Sequence, residues 1–128
     1  VQVCRFDDAS EAQADKIAEH LNTSLDVENH LFAALNTATL RDGVFVEIAA
    51  NASAESPVEF LWLVSAATAP TAINQRLLVL AETGSRATIV EHFVSLDAAN
   101  DSFCNGMTEL LLSPNAQLSH YRIHEESG

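Results

Sequence analysis

Glu91 and His92 sit side by side in Ala87–Leu96, a β-branched and aromatic stretch that reads as a strand. Further along, His120, Arg122 and His124 alternate over five residues. In a strand, a period of two places all three on one face. His120 and His124, with Cys104, Glu91 and His92, supply donor types that bind zinc, and a site would need three or four of them to converge. An arginine between two histidines is a poor neighbour for a cation. A cupin-like metal barrel would need His92, His120 and His124 to meet. His20 and His30 lie beside apolar helical stripes and read as helix-end side chains. Glu91 and Glu109 are the carboxylate pair that acid–base work on a sugar would use. No GxSxG, P-loop or GxGxxG run is present, and four glycines leave little room for a phosphate cradle. The residues alone therefore assign no catalytic and no metal-ligating group. Any cofactor-binding residue stays unknown.

The elements that would position these groups follow in order. Ser10 with Gln13 forms a capping box for an amphipathic helix over 11–22, lined by Ala14, Ile17, Ala18 and Leu21. Leu31, Phe32 and Leu35 line a second helix over 28–38, which Asp42-Gly43 closes. From Val44 the period changes to that of strands, over 44–49, 58–64, 76–81, 88–94, 107–112 and 117–124, with polar or small-residue connections between them. Residues 1–43 thus form an N-terminal helical segment and 44–128 a β-repeat. Ile48, Leu80 and Leu112 recur every 32 residues, as do Val46, Leu78 and Leu110. A fixed period of this size marks stacked supersecondary units. Two strands per period suit a β-solenoid; a sandwich of antiparallel hairpins is the alternative. Phe60–Val64 is apolar on both faces, as strands covered on both sides are.

The chain has 128 residues, 48% hydrophobic, with a net charge of −12 from only six basic residues. That balance argues against nucleic acid and anionic membranes as partners, because both need clustered Lys and Arg. Cys4 and Cys104 stand a hundred positions apart without a CxxC spacing, which suits a reducing, cytoplasmic compartment rather than a disulfide framework. No apolar run is long enough to span a membrane, and no signal peptide is visible. The chain begins at Val1 and stops just after a strand, so it reads as part of a longer protein. An open last strand is expected to favour self-association of such a piece.

Several stretches resemble one family. Ala34-Leu35-Asn36-Thr37-Ala38 with Asp42-Gly43-Val44-Phe45-Val46, then Ile89-Val90-Glu91-His92-Phe93-Val94, and finally Asn105, Thr108-Glu109, Leu112, Asn115-Ala116, Leu118, His120-Tyr121 and Glu125-Glu126-Ser127, resemble the SufD branch of the SufB/SufD proteins. The likeness runs from about Leu31 to the end. It implies a mostly β fold, a right-handed parallel β-helix preceded by α-helices. It further implies a non-catalytic scaffold subunit of the SUF iron–sulfur cluster assembly complex, acting with a SufB paralogue and a SufC ATPase, with reduced flavin associated with the parent complex. The family's partner-binding and cluster-linked residues lie in its C-terminal half, so none maps onto this chain, and no cofactor is expected within it. A β-helical carbohydrate-active or adhesin module is the alternative function, with a carboxylate pair in an aromatic-lined groove; Trp62, however, lies in an apolar run that reads as core.

Overall fold

The computed structural model describes residues 1–64, 71–96 and 102–125. The fold is mostly β. Its strands are β1 (Gln2–Arg5), β2 (Val44–Ile48), β3 (Val58–Val64), β4 (Thr71–Ile73), β5 (Arg76–Ala81), β6 (Arg86–Ser95), β7 (Ser102–Cys104), β8 (Met107–Leu112) and β9 (Gln117–Glu125). The helices α1 (Glu11–His20) and α2 (Leu31–Ala38) lie between β1 and β2, after a single 3₁₀ turn. Three sheets form, in the orders β1-β2-β5-β8, β3-β6-β9 and β4-β7. Every pairing is parallel except that of β1 with β2. The segment before α1, within the stretch read as helical, thus contributes a strand that closes one edge of the first sheet. The unit that repeats is three strands, not two. β4 and β7 are only three residues long, within stretches that read as connections. The remainder of those connections, 65–70 and 97–101, lies outside the described residues, as does the terminal Glu126-Ser127.

The register is one repeat per step. Arg76 lies opposite Met107, Val58 opposite Ile89, Arg86 opposite Gln117 and Thr71 opposite Ser102, each 31 positions on. Between β2 and β5 the step is 33, with Val44 opposite Leu77. The larger step persists through the following corner, where Ser53 bridges Arg86, and has fallen to 31 by Val58. Two extra residues are therefore taken up within 54–57. Pro57 lies there and has no N–H to give to a ladder. The 32-residue period is the average of these two steps. Its outer members are aligned correctly, but Ile48 stacks on Ala81 and Val46 on Val79, not on Leu80 and Leu78. A one-residue slip moves a side chain to the other face of the sheet. Leu78 and Leu80 accordingly pack with Phe45 and Ile17 under α1, while Leu77, Val79 and Ala81 pack with Val46, Ile48, Ala87 and Ile89 between the sheets.

The corners stack as well. Asn51, Gly84 and Asn115 occupy equivalent places in successive repeats, and all three have left-handed backbones, with φ of 59°, 69° and 61°. Asn and Gly are the residues that tolerate this conformation. Backbone hydrogen bonds run from corner to corner: Asn51 N–H donates to Thr83 O at 2.9 Å and Gly84 N–H to Pro114 O at 3.1 Å. A Cβ on Gly84 would lie 2.6 Å from Asn51 Oδ1, so any larger residue there would have to displace the Asn51 side chain.

β5 is buried along its whole length, which explains why Arg-Leu-Leu-Val-Leu-Ala carries no alternation. Phe60–Val64 differs from expectation: Phe60 and Trp62 pack inward, but Leu61 and Leu63 are exposed on the outer face of their sheet. On α1 the capping box forms as read, with Ser10 N–H donating to Gln13 Oε1 at 3.0 Å, and Ile17 is buried. On α2 the expected apolar stripe faces out. The helix buries Ala33 and Asn36 and exposes Leu31, Phe32 and Leu35.

A buried ion pair sets that orientation. Arg76 Nη1 donates to Glu109 Oε1 at 2.5 Å, and both side chains are completely buried. Arg76 also donates to Asn36 Oδ1 (2.9 Å), Asn22 Oδ1 (2.9 Å) and Thr37 Oγ1 (3.0 Å). Glu109 in turn accepts from the backbone N–H of Asn22 and from Ser24 Oγ. The network joins β5 and β8 to both helical connections, and most of the charges' hydrogen-bonding capacity is met within it. Removing one partner leaves the other charged and buried. Arg76→Met is expected to cost about 3–5 kcal/mol, read as a lower urea midpoint. A second replacement, Glu109→Met, is expected to recover part of that loss; a double variant weaker than the single would contradict this account.

Candidate functional site

The described residues hold a second buried polar centre, between the sheets. On β6, Ala87, Ile89, Glu91 and Phe93 point inward and the intervening residues outward. Glu91 is 1% exposed. Its carboxylate accepts from Trp62 Nε1 (2.9 Å) on β3 and Thr108 Oγ1 (2.5 Å) on β8. His120 Nε2 on β9 is 2.9 Å away, and Arg122 Nε stands 3.7 Å off. Four strands from two sheets thus meet on one side chain, and the charge is stabilised by converging donors rather than by water.

An aromatic stack runs beside it. Phe60 and Trp62 lie 6.4 Å apart, Trp62 and Phe93 6.3 Å, and Phe93 and His124 4.6 Å with ring planes 6° apart. The Arg122 guanidinium covers the Phe93 ring at 4.8 Å, a cation–π contact. His120, Arg122 and His124 do share one face of β9, as the alternation implies. Arg122 is there because it serves Glu91 and Phe93 together.

His92 is not part of this centre. It points outward on β6, 2.9 Å from Glu125 and 3.9 Å from Glu59. The three histidines that a cupin-like site needs are therefore split between two faces of one sheet. Cys104 lies on β7, in the separate β4-β7 sheet. Glu91 and Glu109 are also separated. Thr108 and Glu109 are consecutive on β8 and point to opposite faces, Thr108 to Glu91 and Glu109 to Arg76. No shared proton or sugar could bridge the two carboxylates. His20 closes the last turn of α1 and His30 is the N-cap of α2, as read from their positions.

Two residues that organise these centres, Asn22 and Arg76, were singled out neither by spacing nor by the family resemblance, while Asn36, Asn105 and Thr108 stood out only through that resemblance. The available sign was Arg76 opening an apolar strand, with Glu109 inside another apolar strand about one repeat later. A cation and a carboxylate in equivalent buried strands imply each other. Clefts among the described residues include two that bear on these elements. One, of about 730 Å³, is lined by Arg5, Arg41, Asp42, Trp62, Asn74 and Gln75 among others. The other, of about 540 Å³, is lined by Leu25, Asp26, His30, Phe32 and Met107 among others.

Comparison with known proteins decides the family. A model described as the SUF system FeS cluster assembly, SufBD core domain, matches residues 63–128, a stretch that contains Arg76, Glu91 and Glu109. The chain belongs to the SufBD family. It is 32% identical over 123 residues to an iron–sulfur cluster assembly SufBD family protein of Synechocystis sp., covering 91% of this chain and 27% of the relative. It is 25% identical over 121 residues to the iron–sulfur cluster assembly protein SufD of Bacillus subtilis, covering 94% and 27%. The chain therefore spans about a quarter of the length of these relatives. Among the described residues of this SufBD chain, no helix is long and apolar enough to cross a membrane.

Two tests follow from the geometry. Glu91→Ala strands the Trp62, Thr108 and His120 donors and is expected to lower stability by about 1–3 kcal/mol. Glu91→Gln, which keeps an acceptor oxygen, is expected to cost less. Urea unfolding followed through the fluorescence of Trp62, the chain's one tryptophan, measures both; equal losses for the two variants would contradict the hydrogen-bond account. The second test concerns Cys4 on β1, whose thiol is pushed above its ordinary pKa by burial and then by the Asp8 charge. At a given pH it carries less of the reactive thiolate. Iodoacetamide is expected to label Cys4 more slowly in the folded chain than in urea, scored peptide by peptide by mass spectrometry at about pH 8.

Proposed function

We propose that this chain is a non-catalytic portion of a SufD-like scaffold subunit, forming the first coils of a right-handed parallel β-helix. The observation that carries the reading is the one-repeat parallel register. It runs through three strands per repeat up to β8 and β9, in a chain of the SufBD family. In this reading β8 and β9 offer their outer edges to the next coil of the parent protein. The two buried centres hold the coil together, and the N-terminal strand and helices cap it. The parent subunit pairs with a SufB-like paralogue, is held by a SufC-like ATPase and handles iron–sulfur clusters as cargo in the cytoplasm.

A β-helical carbohydrate-active or adhesin module fits the geometry less well. It needs carboxylates and aromatic faces on an open groove, whereas Glu91 is buried and Trp62 donates its indole N–H to it. In the scaffold reading no cofactor is held within this chain, and the reduced flavin belongs to the parent complex.

Affinity purification of the full-length parent from its own cells, with mass spectrometry of what accompanies it, tests the proposal. The expected companions are an ABC-type ATPase and a second SufBD-family chain. Recovery of neither under gentle conditions would reduce the family relationship to a shared architecture and overturn the scaffold role.

A further inference from the structure

The outward-facing apolar side of α2 has no role in the scaffold reading. Leu31 is 77% exposed and Phe32 59%, with Leu35 exposed beside them. Phe103 on β7 extends the patch, its ring 6.1 Å from that of Phe32. The adjoining cleft of about 540 Å³ adds Leu25 and Met107 to the apolar surface. Contiguous apolar surface of this kind on a chain this acidic marks an interaction site.

The setting of the helix is fixed rather than incidental. Asn36 Nδ2 donates to Gln75 O at 3.1 Å and Asn105 O at 2.6 Å, while Arg76 donates to Asn36 Oδ1 and Thr37 Oγ1. Asn105 Nδ2 donates to Phe32 O at 2.9 Å. These bonds hold the polar side of α2 against the sheets and present Leu31, Phe32 and Leu35 outward. A surface held in this way binds without first having to order itself.

Charge identifies the occupant. Asp26 lines the cleft, with His30 beside it, and exposed Glu28 lies two residues on; among the described residues no Lys or Arg lines the cleft. A side-chain hydrogen bond from Asn29 holds the Asp26 carboxyl below its ordinary pKa, so it is charged at neutral pH. A second copy of this chain, at −12 overall, would bring more negative charge to an acidic rim. We propose that the α2–β7 surface docks a basic amphipathic segment of a partner protein, with apolar side chains seated on Leu31, Phe32, Leu35 and Phe103 and Lys or Arg side chains facing Asp26 and Glu28. The surface centres on α2 and Phe103 and touches β8 only at Met107, its first residue, and its test stands independently of the scaffold role.

The probe is a fluorescein-labelled helical peptide of leucine and lysine with its leucines on one face, paired with a leucine–glutamate version. The leucine–lysine peptide is expected to bind, with amide shift changes in the unaltered chain confined to Leu31–Leu35, Phe103 and the cleft. Phe32→Asp is expected to weaken it by roughly tenfold or more, Leu61→Asp on the outer face of the β3-β6-β9 sheet to leave it unchanged, and the leucine–glutamate peptide to bind at least as poorly as the variant does. Matching urea curves would separate binding from folding, and the footprint on the unaltered chain stands even if the variant unfolds. No binding, equal binding by Phe32→Asp, or a footprint elsewhere would overturn the proposal. Sedimentation showing a dimer that Phe32→Asp dissociates would overturn it in favour of a second copy.

Discussion

Each repeat is held at a fixed offset to the one before it by backbone hydrogen bonds that continue through the corners. A parallel ladder by itself tolerates slippage wherever the side chains on its two faces are similar. β5 is such a strand, apolar and buried on both faces. The corners remove the ambiguity. Asn51, Gly84 and Asn115 adopt left-handed backbones in equivalent places, and moving the register by one residue would put a residue other than Asn or Gly there. The register fixes which apolar residues pack under α1 and which lie between the sheets.

With the register fixed, the two buried charged centres fall into place as consequences of the pleat. Thr108 and Glu109 are neighbours on β8 and serve opposite faces. One face meets the opposite sheet through Glu91, Trp62 and His120; the other meets the helices through Arg76, Asn22 and Asn36. A buried ion pair contributes little net stability relative to well-packed apolar groups, but it penalises any arrangement that leaves a partner unpaired. Here that penalty acts on the rotational setting of α2 and on the path of the connection at Asn22 to Ser24, which apolar contacts alone would leave loosely determined.

This division explains what the sequence disclosed. The limits of β3, β5 and β8 were legible because their ends coincide with Gly, Pro, Asn and charged residues, and Ser10 with Gln13 announced α1. The average period was legible because Val46 and Leu110, and Ile48 and Leu112, do occupy one column. Leu78 and Leu80 did not belong to those columns, because the longer corner at 54–57 shifts the phase by one residue at the middle repeat, and β5 is apolar at every position after Arg76. Three-residue strands such as β4 carry too little pattern to be separated from a loop. The α2 face was misread for a different reason: hydrophobicity ordinarily chooses the buried side of a helix, but here hydrogen bonds from Asn36 and Thr37 chose it. The centre at Glu91 was half visible, since His120, Arg122 and Glu91 were all conspicuous, but their convergence depended on a register that spacing alone put out by one.

The same features bear on what a chain of this kind can do. Chemistry at a carboxylate needs access, and Glu91 and Glu109 are enclosed and supplied with donors from the protein itself. Their strongest neighbours are groups that a reactive site would have to displace. Among the described residues, the accessible surface includes apolar groups as well: the Leu61–Leu63 face and the α2–β7 patch. Burying Arg76, Glu91 and Glu109 desolvates ions, and the hydrogen bonds that converge on them offset that cost only while every partner stays in place. Exposing Leu31, Phe32, Leu61 and Leu63 gives up hydrophobic burial, so the two departures from ordinary partitioning lie on opposite sides of the same elements: charge inside, held by the fold's own donors, and apolar surface outside.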